Sequence, residues 1–197
     1  MKKLDAILAA LIGFLNGVFF FFILKQIGRE IPYSWILIIV FPPLALLGMF
    51  IASIVGKKLL IIYQAAKFFL VGTLNTFIDI GILNLFIWLT KIAKGSLYAV
   101  FKAISFLAAT TNSYLWNKFW TFEKRKEAAR PREFLKFLVV TGIGLLINVG
   151  VASFVVNIIG PKFGISEKLW ASVGAIVAAF FAFLWNFLGS KFAVFKK

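Results

Sequence analysis

The chain has no cysteine and no histidine among its 197 residues. Those two absences exclude disulfide frameworks, thiol nucleophiles, imidazole bases and nearly every zinc site. Acid is scarce as well: seven Asp and Glu stand against 22 Lys and Arg, for a net charge of +15. Metal-dependent or acid–base chemistry would rest on those seven carboxylates, and all but Asp79 fall where a membrane interface is expected. No segment matches the G-x-x-x-x-G-K-[ST] loop that cradles nucleotide phosphates. The residues argue against an enzyme and imply no cofactor and no metal.

What is present is oil. Hydrophobic residues make up 62% of the chain, aromatics 18% and charged residues only 15%. A soluble domain is about half apolar and about a quarter charged, and a chain this short has too much exterior to hide such a surplus from water. The solvent must be a bilayer. The basic residues sit between apolar runs, where they meet anionic lipid headgroups rather than nucleic acid.

Six apolar runs are each long enough to cross roughly 30 Å of hydrocarbon at 1.5 Å per helical residue. They cover residues 4–24, 33–55, 68–90, 98–118, 134–159 and 169–189. The first is too long for a signal peptide, whose apolar region spans about 7–15 residues, and it reads as a retained helix. Gly13 and Gly17, four apart, suit a close helix contact, although the pattern also arises by chance. Pro42–Pro43 predicts a kink or interruption of the second span. Trp35, Trp88, Tyr98, Trp120 and Trp170 lie near span ends, as an interfacial aromatic belt does. Fifteen Lys and Arg fall on the side of the termini and the 118–136 segment, and seven on the other. The positive-inside rule then predicts a multi-pass plasma-membrane protein with both termini in the cytoplasm.

The second half repeats the first. An offset of 69 residues superimposes Lys67 on Lys136, Val71 on Val140, Gly81 on Gly150 and Leu115-Trp116-Asn117 on Leu184-Trp185-Asn186. Asp79 falls on Asn148. Further on the offset becomes 73, matching Lys118-Phe119 to Lys191-Phe192 and Phe122 to Phe195. Small residues recur at a spacing of four, Ser105, Ala109 and Ser113 against Gly174, Ala178 and Ala182, along one helix face. The expected architecture is an all-α polytopic membrane protein of six transmembrane helices. An N-terminal hairpin (1–58) precedes a four-helix domain (59–197) built from a duplicated two-helix repeat, about 67–124 and 136–197. Parallel repeats of this kind carry a pseudo-twofold axis along the membrane normal.

Asp79 is the acid set deep within a span. A carboxylate at the bilayer centre costs about 2.5–3.5 kcal/mol on insertion scales, so it requires a partner, a proton or water. Asn75 lies one turn earlier on the same face, with Gly72 and Thr76 beside it. Two readings follow: a polar groove that admits a hydrophilic headgroup or relays a proton, or an amide-paired acid that fastens helices. Asn112 and Asn148 extend the polar set. Asn117 and Lys118, with Lys67, Arg125, Lys136 and Lys191, are candidates to hold a phosphate by charge-assisted hydrogen bonds, against the plainer account of flanking charge. Trp116 and Trp120 are candidates to face a sugar ring, against interfacial anchoring.

Residues 68–79 (Phe-Phe-Leu-Val-Gly-Thr-Leu-Asn-Thr-Phe-Ile-Asp) and 112–122 (Asn-Ser-Tyr-Leu-Trp-Asn-Lys-Phe-Trp-Thr-Phe) resemble the GtrA-like family. The resemblance covers about residues 65–197. It implies a small four-helix membrane protein of cell-surface polysaccharide synthesis, which moves a polyprenyl-phosphate-linked sugar across the membrane or assists a partner glycosyltransferase. It points to Gly72, Asn75, Asp79, Asn117, Lys118 and Trp120. Ser190 and Ala193 depart from the pattern in the second copy, and the first two helices lie outside it. The leading expectation is a translocase for a polyprenyl-monophosphate sugar. A non-transporting glycosyltransferase anchor and a small proton-coupled exporter are the alternatives, and a homo-oligomer is compatible with each.

Overall fold

The computed structural model describes residues 1–26, 32–92, 95–124, 128–164 and 167–196. Among them are six α-helices and no strand: α1 Lys3–Gln26, α2 Ile36–Val55, α3 Leu60–Thr90, α4 Gly95–Trp116, α5 Pro131–Ser153 and α6 Glu167–Gly189. Three of these run on into wider π-helical turns, α4 at Asn117–Thr121, α5 at Phe154–Ile159 and α6 at Ser190–Val194. Among the described residues, five segments are long and apolar enough to cross a bilayer: Lys3–Lys25, Ile36–Val55, Leu60–Thr90, Pro131–Ile159 and Ile176–Val194. The remaining helix, α4, has the length but carries Lys102, Ser105, Thr110, Thr111, Asn112 and Ser113, a composition that suits a helix with a polar seam. The protein is a polytopic all-α membrane protein.

Helix ends follow local chemistry. Pro131 stands at the start of α5, where its missing N–H costs nothing. α3 stops at Lys91, whose left-handed backbone (φ 60) turns its N–H back onto the Ile87 carbonyl at 2.8 Å. α2 runs through Pro42–Pro43 as one helix, so of the kink or interruption expected there the interruption does not occur.

The chain forms two compact units, Met1–Arg125 and Lys126–Lys197. In the first, α1 lies against both α2 and α3, and α3 against α4. Its core gathers Ile12 from α1, Val71 and Leu74 from α3 and Trp120 from the π-helical turn. Asn16 of α1 donates to Thr73 Oγ1 of α3 at 2.9 Å, and Phe86 stacks on Phe101 with ring centres 5.1 Å apart. The N-terminal hairpin therefore belongs to the same compact body as α3 and α4.

The second unit is the α5–α6 hairpin. Trp185 Nε1 donates to the Val140 carbonyl at 3.0 Å, and Trp170 Nε1 to the Val155 carbonyl at 2.9 Å. Ala178 and Ala182 are buried, as are Ser105 and Ala109 at the repeat-related positions of α4. The two hairpins end alike. Phe122 N–H reaches the Asn117 carbonyl at 2.9 Å, and Phe195 N–H reaches that of Ser190 at 2.8 Å. These i to i−5 bonds define π turns, and they fall in the register offset by 73.

Gly13 and Gly17 make the α1–α2 contact. A Cβ at Gly13 would sit 2.7 Å from the Phe41 carbonyl oxygen, and one at Gly17 would sit 2.6 Å from that of Leu37. Both obstacles are backbone, so they cannot give way as a side chain does. Gly48 has nothing within 4 Å of its would-be Cβ. Gly13→Val and Gly17→Val are expected to cost about 1–3 kcal/mol by overpacking, read as a lowered melting temperature in detergent. Gly48→Ala should leave that temperature unchanged or slightly raised.

Candidate functional site

The polar residues of α3 and α4 meet along one seam. Asn75 Nδ2 donates back to the Val71 carbonyl at 2.6 Å, while Asn75 Oδ1 accepts from Asn112 Nδ2 at 2.9 Å. One turn further along α3, Asp79 accepts from Ser105 Oγ at 2.6 Å and forms an ion pair with Lys102. The geometry follows from antiparallel helices: position 75 faces 112, and 79 faces 105 and 102. The partner that an acid in hydrocarbon requires is thus Lys102, which its sequence position assigns to an interfacial flank. The pair is not sealed, since the Asp79 side chain is 21% exposed and that of Lys102 45%. Thr76 Oγ1 turns back to the Gly72 carbonyl at 3.1 Å on the exposed side of α3.

A groove of about 420 Å³ opens at the C-terminal end of α4, lined by Leu4, Leu8, Asn112, Leu115, Trp116, Phe119 and Trp120. Asn112 belongs to both seam and groove. Trp116 and Trp120 meet edge to face with centres 5.8 Å apart. The π turn that carries Trp120 also buries Asn117, Lys118 and Thr121. Asn117 donates to Ser113 Oγ at 3.2 Å and accepts from Thr121 Oγ1 at 2.9 Å. Lys118 is fully enclosed, with its ammonium 5.8 Å from the Tyr114 ring centre.

Lys67 is also inside the protein. Its Nζ lies 2.8 Å from Asp5 Oδ1 with both side chains almost fully buried, and 3.4 Å from Glu123 Oε1. Asp5 also accepts from Trp120 Nε1 and from Tyr63 OH, each at 2.8 Å. Lys2 closes the cluster from the surface, 2.9 Å from both Glu123 oxygens. Burial pushes the Glu123 carboxyl up, but the Lys2 hydrogen bond and the Lys67 and Lys2 charges outweigh it and hold it below its ordinary value. Asp5 sits in the first turn of α1, where the helix dipole favours an acid.

Residues 67–195 match the family described as "GtrA/DPMS, transmembrane domain". The chain belongs to that family. It is also 32% identical over 133 residues to the "Uncharacterized membrane protein YngA" of Bacillus subtilis (strain 168), covering 66% of this chain and 77% of that one. No solved structure matches the chain.

Within the GtrA/DPMS domain the first hairpin brings Asn75, Asp79, Asn112, Trp116 and Trp120 together around seam and groove. Asn117 and Lys118 lie behind them, and Lys67 is joined to Trp120 through Asp5. In the second unit Lys136 is exposed and Asn148 half-buried on α5, and Lys191 is half-buried 5.6 Å from the Phe192 ring centre. Arg125 lies outside the described residues. Sequence reasoning missed Asp5, Tyr63, Lys102, Ser105 and Glu123. For Asp5 a signal existed, an acid inside an otherwise apolar N-terminal run, yet it reads as interfacial until α3 is seen beside it. Asp5 and Tyr63 also precede the segment matched to the GtrA/DPMS domain.

Removing one member of a buried ion pair strands the other. Lys67→Met is expected to cost about 3–5 kcal/mol, whereas Lys2→Ala, at an exposed pair, should cost about 0–1 kcal/mol. Unfolding in mixed micelles measures both, and adding Asp5→Asn to Lys67→Met should recover part of the loss. Because Glu123 is depressed in the fold, its contribution is complete above the ordinary carboxylate range and is lost as pH falls through the lower folded value. Glu123→Gln should flatten that acid limb of the melting curve.

Proposed function

We propose that the protein translocates a polyprenyl-monophosphate-linked sugar across the plasma membrane for cell-surface glycan synthesis. Family membership supports polyprenyl-linked sugar translocation in broad terms. The observation that carries the specific reading is the partly exposed Asp79–Lys102 pair beside the Asn75–Asn112 amide pair. Charge kept at membrane depth is costly and marks a substrate path more often than a fastening. In this reading, sugar hydroxyls exchange for the amide and carboxylate partners along the seam, with Gly72 and Thr76 on its exposed flank. Trp116 offers an aromatic face at the groove, and the prenyl tail stays in lipid. The positive-inside count puts both termini and the 118–136 segment in the cytoplasm, on the side where Lys67 of the first unit supplies charge for the phosphate. The carrier is not an enzyme, and the substrate gradient or protons drive it.

A second reading is a non-transporting membrane tether for a glycosyltransferase. One observation favours it: Asn117, Lys118 and Trp120, the most recognisable residues of the motif, are buried and contribute to packing.

Reconstituted proteoliposomes separate the two readings. Asp79→Asn should insert normally and lower headgroup transfer by at least about tenfold, the effect of roughly 1.4 kcal/mol. Swapping the charges, Asp79→Lys with Lys102→Asp, should restore stability but not transfer. Undiminished transfer by Asp79→Asn would refute the seam's role. Wild-type protein that moves no lipid yet co-purifies with a glycosyltransferase would favour the tether.

A further inference from the structure

Asp5 draws three donors from two neighbouring elements, α3 and the π turn after α4. The Lys67 ammonium, the Trp120 indole N–H and the Tyr63 hydroxyl converge on its two carboxylate oxygens, each at 2.8 Å. One cationic and two neutral donors aimed at the two oxygens of one carboxylate also make a set suited to a phosphate oxyanion, which takes charge-assisted hydrogen bonds of the same kind. The cluster adjoins the open groove. Trp120 belongs to both, and Leu4 and Leu8, on the same helix as Asp5, form part of the groove wall. The carboxylate lies in the first turn of α1, so its withdrawal requires movement of that end of the helix and not of the whole span. The repeat-related Lys136 is exposed, whereas Lys67 is buried.

We infer that Lys67, Tyr63 and Trp120 form a phosphate-binding site that the chain fills with its own Asp5, a tethered stand-in that the ligand's phosphate must displace. The inference rests on the reading of the protein as a carrier of a phosphate-linked headgroup, and it assigns that phosphate a place and a gate. Lys67 is then buried because the site is shut. In the displaced state the phosphate takes the three donors and Asp5 moves outward with the end of α1.

The full chain in detergent micelles provides the test, with inorganic phosphate and a short-chain prenyl monophosphate as probes. An internal competitor lowers apparent affinity by the fraction of molecules it leaves competent, so Asp5→Ala should bind phosphate at least roughly tenfold more tightly than wild type. Phosphate should also raise the melting temperature of that variant, and adding Lys67→Met should abolish both effects. A gain with both probes identifies a site for the free anion, and a gain with the prenyl phosphate alone identifies a site for the lipid headgroup; either supports the inference. A folded Asp5→Ala with no gain, or a gain that survives Lys67→Met, overturns it. Should Asp5→Ala not fold, the indole N–H resonances of the wild type decide. Prenyl phosphate should shift that of Trp120, assigned with Trp120→Phe, and saturation of the Trp116 signal with Trp120 unmoved overturns the gate. Wild-type transport with no gain in Asp5→Ala defeats this inference alone. The gain without any transport defeats the carrier reading and leaves an anion site.

Discussion

A charge drawn into a low-dielectric interior must bring its counter-charge and enough hydrogen bonds to replace water. The first compact unit is organised around two places where that requirement is met across helices. At one end Asp5 of α1 binds Lys67 of α3 and, through Trp120, the π turn after α4. At span depth Asp79 of α3 binds Lys102 and Ser105 of α4. The pairs differ in access. Asp5–Lys67 is enclosed and is the stronger constraint on which helices sit together. Asp79–Lys102 is half open, with both side chains partly exposed.

The repeat shows how far duplication carries chemistry. Offset by 69, Asn75 becomes Gly144, Asp79 becomes Asn148, Lys102 becomes Ala171, Ser105 becomes Gly174 and Asn112 becomes Phe181. No charge remains on the second seam, and the space over Gly144 is taken by the side chain of Asn186. The π turn survives at Ser190–Val194, but Ser190 and Ala193 replace the Asn and Trp of the first copy. The second hairpin thus keeps the small-residue stripe and the π turn and gives up the polar row.

The N-terminal hairpin gains a role from the same contacts. It lies outside the segment matched to the family, yet α1 supplies Asp5, Ile12 and Asn16 to α3 and Leu4 and Leu8 to the groove wall. Gly13 and Gly17 let α2 brace α1 from behind at backbone distance. The hairpin thus presses one acid and one apolar stripe onto the family domain. In the carrier reading it sets access to the domain's own cations.

Much was legible from residues alone because it is local. Apolar runs, their lengths and flanking charges, the repeat and the small-residue stripes are properties of short windows, and hydrocarbon leaves helices as the backbone solution for them. The need of Asp79 for a partner was equally legible, since it follows from one carboxylate and a low dielectric. The identity of the partner was not. Lys102 reads as a flank, Lys67 and Lys118 as rim cations and Asp5 as an interfacial acid, because each sits within a turn or two of a span end. Where neighbouring helices stand in register decides which of these charges are paired, buried or open. That register comes from the fit of side chains separated by dozens of residues, such as Gly17 on Leu37 or Asp5 on Lys67, and a pattern read within one helix carries no information about it.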